Sequence, residues 1–160
     1  MRAFTVLLGA ALIAGCVQLN TYTDPPMPLA AGERLRVTQT LQLPEDGSRL
    51  YLQHGEAGSA RDYTVREHHC SLVVKTPGGV LPPVAAGTEL VVANVQRKMD
   101  FGVWERGVTN YRTLIGLAPG AHPLRALECE LWAYGYDVNS FITRSELRRA
   151  LEPVLQLEGD

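Results

Sequence analysis

The chain has 160 residues, enough for a real hydrophobic core and for one domain, or two at most. Fifteen basic side chains against seventeen acidic ones leave a net charge of -2, so nothing in the overall charge draws it to nucleic acid, and no nucleic-acid partner is expected. With 46% hydrophobic and 20% charged residues, the composition excludes a disordered chain or a long coiled coil.

Met1 and Arg2 open with one positive charge, and Ala3 to Ala14 carries neither charge nor proline. A basic start and a short apolar run form a secretory signal, too short to span a bilayer core of roughly 30 Å. The junction Leu12-Ile13-Ala14-Gly15-Cys16 resembles the bacterial lipobox, in which an aliphatic residue and two small ones precede a cysteine. The resemblance implies a signal peptide over 1–15, cleavage after Gly15, and a Cys16 that becomes the diacylglyceryl-modified, N-acylated (palmitate-type) first residue. Several acyl chains at about 0.8 kcal/mol per buried methylene make such an anchor effectively permanent, and the membrane becomes a partner through lipid rather than through a span. Val17 stands where, in the enterobacterial pattern, an aspartate favours retention in the inner membrane. The implied address is the outer membrane, facing the periplasm. Removal of the first 15 residues leaves 145, with 14 basic and 17 acidic side chains.

Residues 16–32 read as the anchored cysteine and a flexible leader, because Asn20, Asp24, Pro25, Pro26, Pro28 and Gly32 disfavour helix and sheet alike. Residues 33–160 read as a single, mostly β domain. Leu35, Val37, Leu41 and Leu43 alternate with polar neighbours, and Pro44 to Ser48 supplies turn chemistry before a strand at Arg49–His54, so Arg34 to His54 is expected as a hairpin. Gly55 to Asp62 reads as loop. Further strands are expected at Tyr63–Glu67 running into His69–Thr76, then at Thr88–Phe101, Tyr111–Leu117 and Arg125–Tyr134, separated by turn-forming Gly and Pro. About six to seven strands joined by turns predict an antiparallel sandwich or small barrel. Thr143-Arg144-Ser145-Glu146 is a capping box opening one short C-terminal helix with Leu147, Ala150 and Leu151 on its apolar face. Pro153 ends it, and Val154–Leu157 is expected as a closing edge strand.

With Cys16 assigned to lipid, Cys70 and Cys129 remain as an even pair in an oxidising compartment, each inside an expected strand. A disulfide between them closes a loop of about 60 residues, worth about 4 kcal/mol by chain entropy. A redox or metal role has no Cys-x-x-Cys to support it. In its Cys-bearing strands and capped terminal helix, the mature portion is similar to small uncharacterised envelope lipoproteins of Gram-negative bacteria, a resemblance that implies no activity.

Three constellations carry candidate chemistry. His68-His69-Cys70, with His54 and Met99, has donor types suited to copper, yet neighbours on a strand point to opposite faces. Gly135 to Leu147 resembles the latter half of an EF-hand loop, with Asp137, Asn139 and Glu146 as weak calcium ligands; Gly135 replaces the first-position aspartate and Ser140 the turn glycine. Arg97, Trp104, Arg106, Tyr111 and Arg112 interleave cations and aromatics as recognition surfaces do, and form the candidate partner-binding region. No Gly-x-Ser-x-Gly, Ser-x-x-Lys or phosphate-cradling glycine motif is present. The expectation is a non-enzymatic envelope module, without cofactor, that binds a protein or glycan or supports an assembly. The alternatives are a carrier of a small ligand or of copper or calcium, and thirdly a hydrolase.

Overall fold

Side chains alternate between buried and more exposed along the first two strands, while the central strand His69–Val74 is buried on both faces. The computed structural model describes residues 25–44, 49–59, 62–74, 81–102 and 107–159; Cys16, its signal peptide, Trp104 and Arg106 lie outside the described residues. In chain order the strands are β1 (Arg34–Val37), β2 (Arg49–Gln53), β3 (Glu56–Gly58), β4 (His69–Val74), β5 (Glu89–Phe101), β6 (Val108–Leu117), β7 (Leu124–Tyr134) and β8 (Leu155–Leu157). One 3-10 turn, Val138–Ser140, and one helix, α1 (Arg144–Leu151), separate β7 from β8. All described pairings are antiparallel, in the order β3-β2-β4-β7-β6-β5-β1-β8, and the eight-stranded sheet curls into a half-barrel. The architecture is the expected one, mainly β with a short C-terminal helix, realised as one curled sheet.

The concave face holds a single core. Leu35, Leu52, Leu72, Leu90, Ile115 and Leu127 point into it from six strands and are fully buried. Leu147, Ala150 and Leu151 of α1 fill the open side of the curl. Burying a Leu side chain is worth about 1.5–3 kcal/mol, which explains why an eight-residue helix too short to persist alone is held here.

The helix is tied to both halves of the sheet. On one side the β2–β3 connection is a two-residue turn, His54-Gly55, with φ of 54° and 74°, the pair of positive values of a type I′ hairpin. The Gly55 amide donates to the Ala150 carbonyl at 3.1 Å, and a Cβ at Gly55 would lie 1.8 Å from the Glu152 oxygen. On the other side the Thr38 amide donates to the Val154 carbonyl at 3.1 Å, and β8 pairs with β1. The start of α1 carries the full capping box: Thr143 Oγ1 accepts from the Glu146 amide, and the Glu146 carboxylate accepts from the Thr143 amide at 2.8 Å.

Three expectations change. Arg34–His54 is not a hairpin, since β1 pairs with β5 and β8 while β2 pairs with β3 and β4. After β1, Leu41 makes an isolated antiparallel bridge with Val84. The stretch expected as a strand before His69 is a loop, and part of the expected loop after Gly55 is β3. Pro25–Gly32, expected within a flexible leader, is seated on the domain: Leu29 is buried, Arg97 donates to the carbonyls of Pro25 and Pro26, and the Gly32 amide donates to Val92. A proline-rich segment cannot join a ladder, but its carbonyls remain strong acceptors and Leu29 an apolar anchor.

The cysteines face one another directly across β4 and β7, with Cα atoms 3.9 Å apart, and form the Cys70–Cys129 disulfide inside the core.

Candidate functional site

Of the expected set Arg97, Trp104, Arg106, Tyr111 and Arg112, Trp104 and Arg106 lie outside the described residues, and the other three divide between the two faces of the sheet, Arg97 and Tyr111 on one and Arg112 on the other. Tyr111 points to the concave side and is buried, its hydroxyl accepting from the Asp137 amide at 2.6 Å and donating to the Gly135 carbonyl at 3.1 Å. Its ring meets Phe141 edge-on, with centroids 5.4 Å apart. Arg97, also on the concave side, lies over the same Phe141 ring at 5.0 Å and secures the Pro25–Pro26 segment. Arg112, one residue after Tyr111, points to the convex face. Adjacent strand positions face opposite ways, and that alternation was the signal available in the sequence.

On the convex face Arg112 joins an ion-pair chain. Glu128, only 4% exposed, accepts from Arg49 at 2.5 Å and from Arg112 at 3.3 Å, while Arg112 also reaches Asp100 at 2.5 Å. Lys98 closes on Asp100 at 3.2 Å. Burial works against ionisation of Asp100, but hydrogen bonds from Lys98 and Arg112 outweigh it and hold the carboxyl below its ordinary range. The chain stitches β2, β7, β6 and β5 across the sheet, so these cations are committed to architecture.

The metal-type residues are likewise distributed. Asp137 caps the 3-10 turn, accepting from the Asn139 amide at 2.9 Å and from the Asn139 side chain at 3.0 Å. Glu146 sits inside α1 with its carboxylate on Thr143, so an EF-hand loop from Gly135 is not formed. Burial would raise Glu146, yet the Thr143 bonds, then the charges of His68 and Arg149, hold it low. His68 turns toward Glu146 at 3.5 Å, while His69 points to the convex face and stacks on Tyr63 with centroids 4.3 Å apart. Burial depresses both imidazoles below their ordinary value. Among the described residues no three His, Cys, Asp or Glu side chains are grouped to hold a metal ion.

A concave surface that sequence reasoning missed lies beside β2. The loop 62–68 folds back over the convex face, and the Gln53 side chain holds it as a neighbouring strand would, donating to the Thr64 carbonyl and accepting from the Thr64 amide, both at 3.0 Å. The Trp132 amide donates to Val65 at 2.8 Å. This brings Tyr63 onto Tyr51, centroids 4.4 Å apart and nearly parallel, and opens a groove of about 350 Å³ lined by Tyr51, Gln53, His54, Glu56, Asp62 and Tyr63. Burial, then the neighbouring Tyr51, pushes the Tyr63 hydroxyl up to about 12, so it stays a neutral donor at any physiological pH. Within the groove the Gln53 amide is spent on Thr64 and the Asp62 carboxylate on the Ser59 amide and hydroxyl, so the aromatic pair and the Glu56 carboxylate are what suit a ligand with an apolar face and hydroxyl or amine edges. Only the loop's folding back creates this site.

No protein-family model, curated protein or solved structure matches the chain.

Proposed function

We propose that the protein is a lipid-anchored lipoprotein of the outer membrane, facing the periplasm, whose domain binds a glycan or protein partner without transforming it. The anchor reading is supported by the run from Leu12 to Cys16, and the oxidising compartment is consistent with the Cys70–Cys129 disulfide. The observation that carries the binding reading is the groove beside the stacked Tyr51 and Tyr63, which sets an aromatic pair next to the Glu56 carboxylate in a concave setting. The acids and bases nearest to a chemical constellation, Glu128, Asp100 and Glu146, are engaged in cross-strand ion pairs or a helix cap, which favours recognition over acid–base catalysis.

The test uses the full-length protein expressed in a Gram-negative envelope with a photo-cross-linking residue at Glu56, beside the groove, and another at Ala121 as reference. Isolated peptidoglycan sacculi are assayed in parallel for co-sedimentation. A discrete adduct from position 56 but not 121, or sedimentation abolished by Tyr63→Ala, is the expected result. Equal cross-linking from both positions together with no sedimentation would refute the groove as a binding surface.

A further inference from the structure

The strand registers gather the exposed aromatics at one end of the half-barrel. Phe101 pairs with Thr109 and Val108 with Tyr134, which sets the ends of β5 and β7 on either side of the start of β6. Tyr136 follows two residues on and stacks with Phe101, centroids 6.0 Å apart. Phe101, Tyr134 and Tyr136 are 63%, 65% and 63% exposed, and Met27, which borders the same cavity as Tyr136, is 48% exposed. Arg66 lies over the Tyr134 ring at 4.5 Å. Phe101, with Tyr136 stacked on it, lies on the concave side and Tyr134 on the convex side of this one end, so large exposed side chains edge the sheet on both faces there.

The described chain starts at this same end. Pro25 is held by Arg97 and borders the cavity shared by Met27 and Tyr136; the chain then descends past the Gly32–Val92 bond into β1. Eight residues separate Cys16 from Pro25, so even fully extended the tether reaches about 30 Å. An anchor at Cys16 therefore holds the end at which the chain enters the domain near the bilayer.

We propose that the rim of Met27, Phe101, Tyr134 and Tyr136 rests on the surface of the phospholipid bilayer to which the chain is anchored. The inference rests on the lipid-anchor reading above. Tyr and Phe rings suit the headgroup boundary because one part of the side chain is apolar and the surroundings remain wet. Seated in this way, the half-barrel stands with β5 to β7 rising from the membrane. The turn Ala118–Pro123 lies at the far end, roughly 30 Å up the strands.

The experiment uses lipidated full-length protein carrying Phe101→Cys, Tyr136→Cys or, as reference, Ala121→Cys, each labelled without reductant with an environment-sensitive nitrobenzoxadiazole probe. All three positions are exposed, so the labels leave the core and the native disulfide intact. The proteins are reconstituted into phosphatidylethanolamine and phosphatidylglycerol vesicles with brominated acyl chains, and the mass of the N-terminal peptide is measured on the same samples. The probes at 101 and 136 are expected to lose roughly half of their emission to the bromolipid, while the probe at 121 is unaffected. Acylated Cys16 with all three probes equally insensitive overturns the rim docking and leaves the anchor standing. A Cys16 without acyl chains removes the anchor and the orientation with it. Shielding at 101 and 136 in native envelopes but not in pure lipid vesicles overturns the proposal in favour of a protein on the rim.

Discussion

Reducing Cys70–Cys129 isolates one term in the stability of this domain. The bond spans 59 positions, and the chain-entropy relation for a loop of about 60 residues gives roughly 14 cal/mol/K, or about 4 kcal/mol at 25 °C. The native state is expected to survive, because β4 and β7 stay paired through Leu72–Leu127, Ser71–Glu128 and His69–Glu130 on either side of the cysteines, and both sulfurs stay in the core as thiols. The cost therefore falls on the unfolded ensemble, which gains freedom on reduction. For a domain of this size the melting temperature should fall by roughly 15 °C, and the urea midpoint by about 2 M for a slope near 2 kcal/mol/M. Thermal and urea unfolding followed by circular dichroism, with and without a phosphine reductant, measures both. A shift under about 4 °C would refute the entropic account. Loss of the β signal at 25 °C on reduction would refute the claim that strand pairing alone keeps β4 and β7 together.

The remaining predictions concern single groups. Gly55→Ala should cost about 3 kcal/mol in urea unfolding, because it combines a positive φ with a Cβ driven onto the Glu152 carbonyl; a loss below about 1 kcal/mol would show that the turn does not dock on the helix end. Thr143→Ala removes the acceptor for the Glu146 amide and should cost about 1 kcal/mol by the same measurement. Glu128→Gln leaves Arg49 and Arg112 facing a neutral amide and should cost about 1–3 kcal/mol, with smaller losses in high salt because both arginines are partly exposed. For pH dependence, the folded state holds His68 and His69 below their ordinary 6.5, so below that pH the unfolded chain binds more protons and stability falls. Asp100 and Glu146, held low in the fold, add a second loss as the pH drops below about 4.5. Melting temperature should be flat from pH 8 to about 7, decline toward 5, and decline more steeply below that; a constant value from 7 to 5 would contradict the buried-imidazole assignment.

Much of the fold was legible because its signals are local. Leu50 and Leu52, or Leu127 and Cys129, announce which side of a strand is buried by their spacing, and Thr143 to Glu146 spells the helix start in four residues. The disulfide followed from counting cysteines once Cys16 was set apart. Within the expected partner-binding set the same rule separates two members: Tyr111 and Arg112 are neighbours in sequence and therefore opposites in a sheet, one in the core and one in the ion-pair chain. The groove at Tyr51 was not legible, since nothing local to Tyr63 says that Gln53 will hold its loop against β2.

By itself, then, the sequence determined the periodicities: a β domain with one capped helix and a cysteine pair. Those depend on side-chain spacing and on residue chemistry, which act within a few residues. Only the tertiary structure decided that β1 joins β5 and β8 instead of β2, that Pro25–Gly32 belongs to the domain, and that the exposed aromatics meet where the chain enters it. Alternation says which face a residue is on but not which strand lies beside it. Neighbours are chosen by the packing of a whole curled sheet around α1, a property that no short stretch of sequence contains.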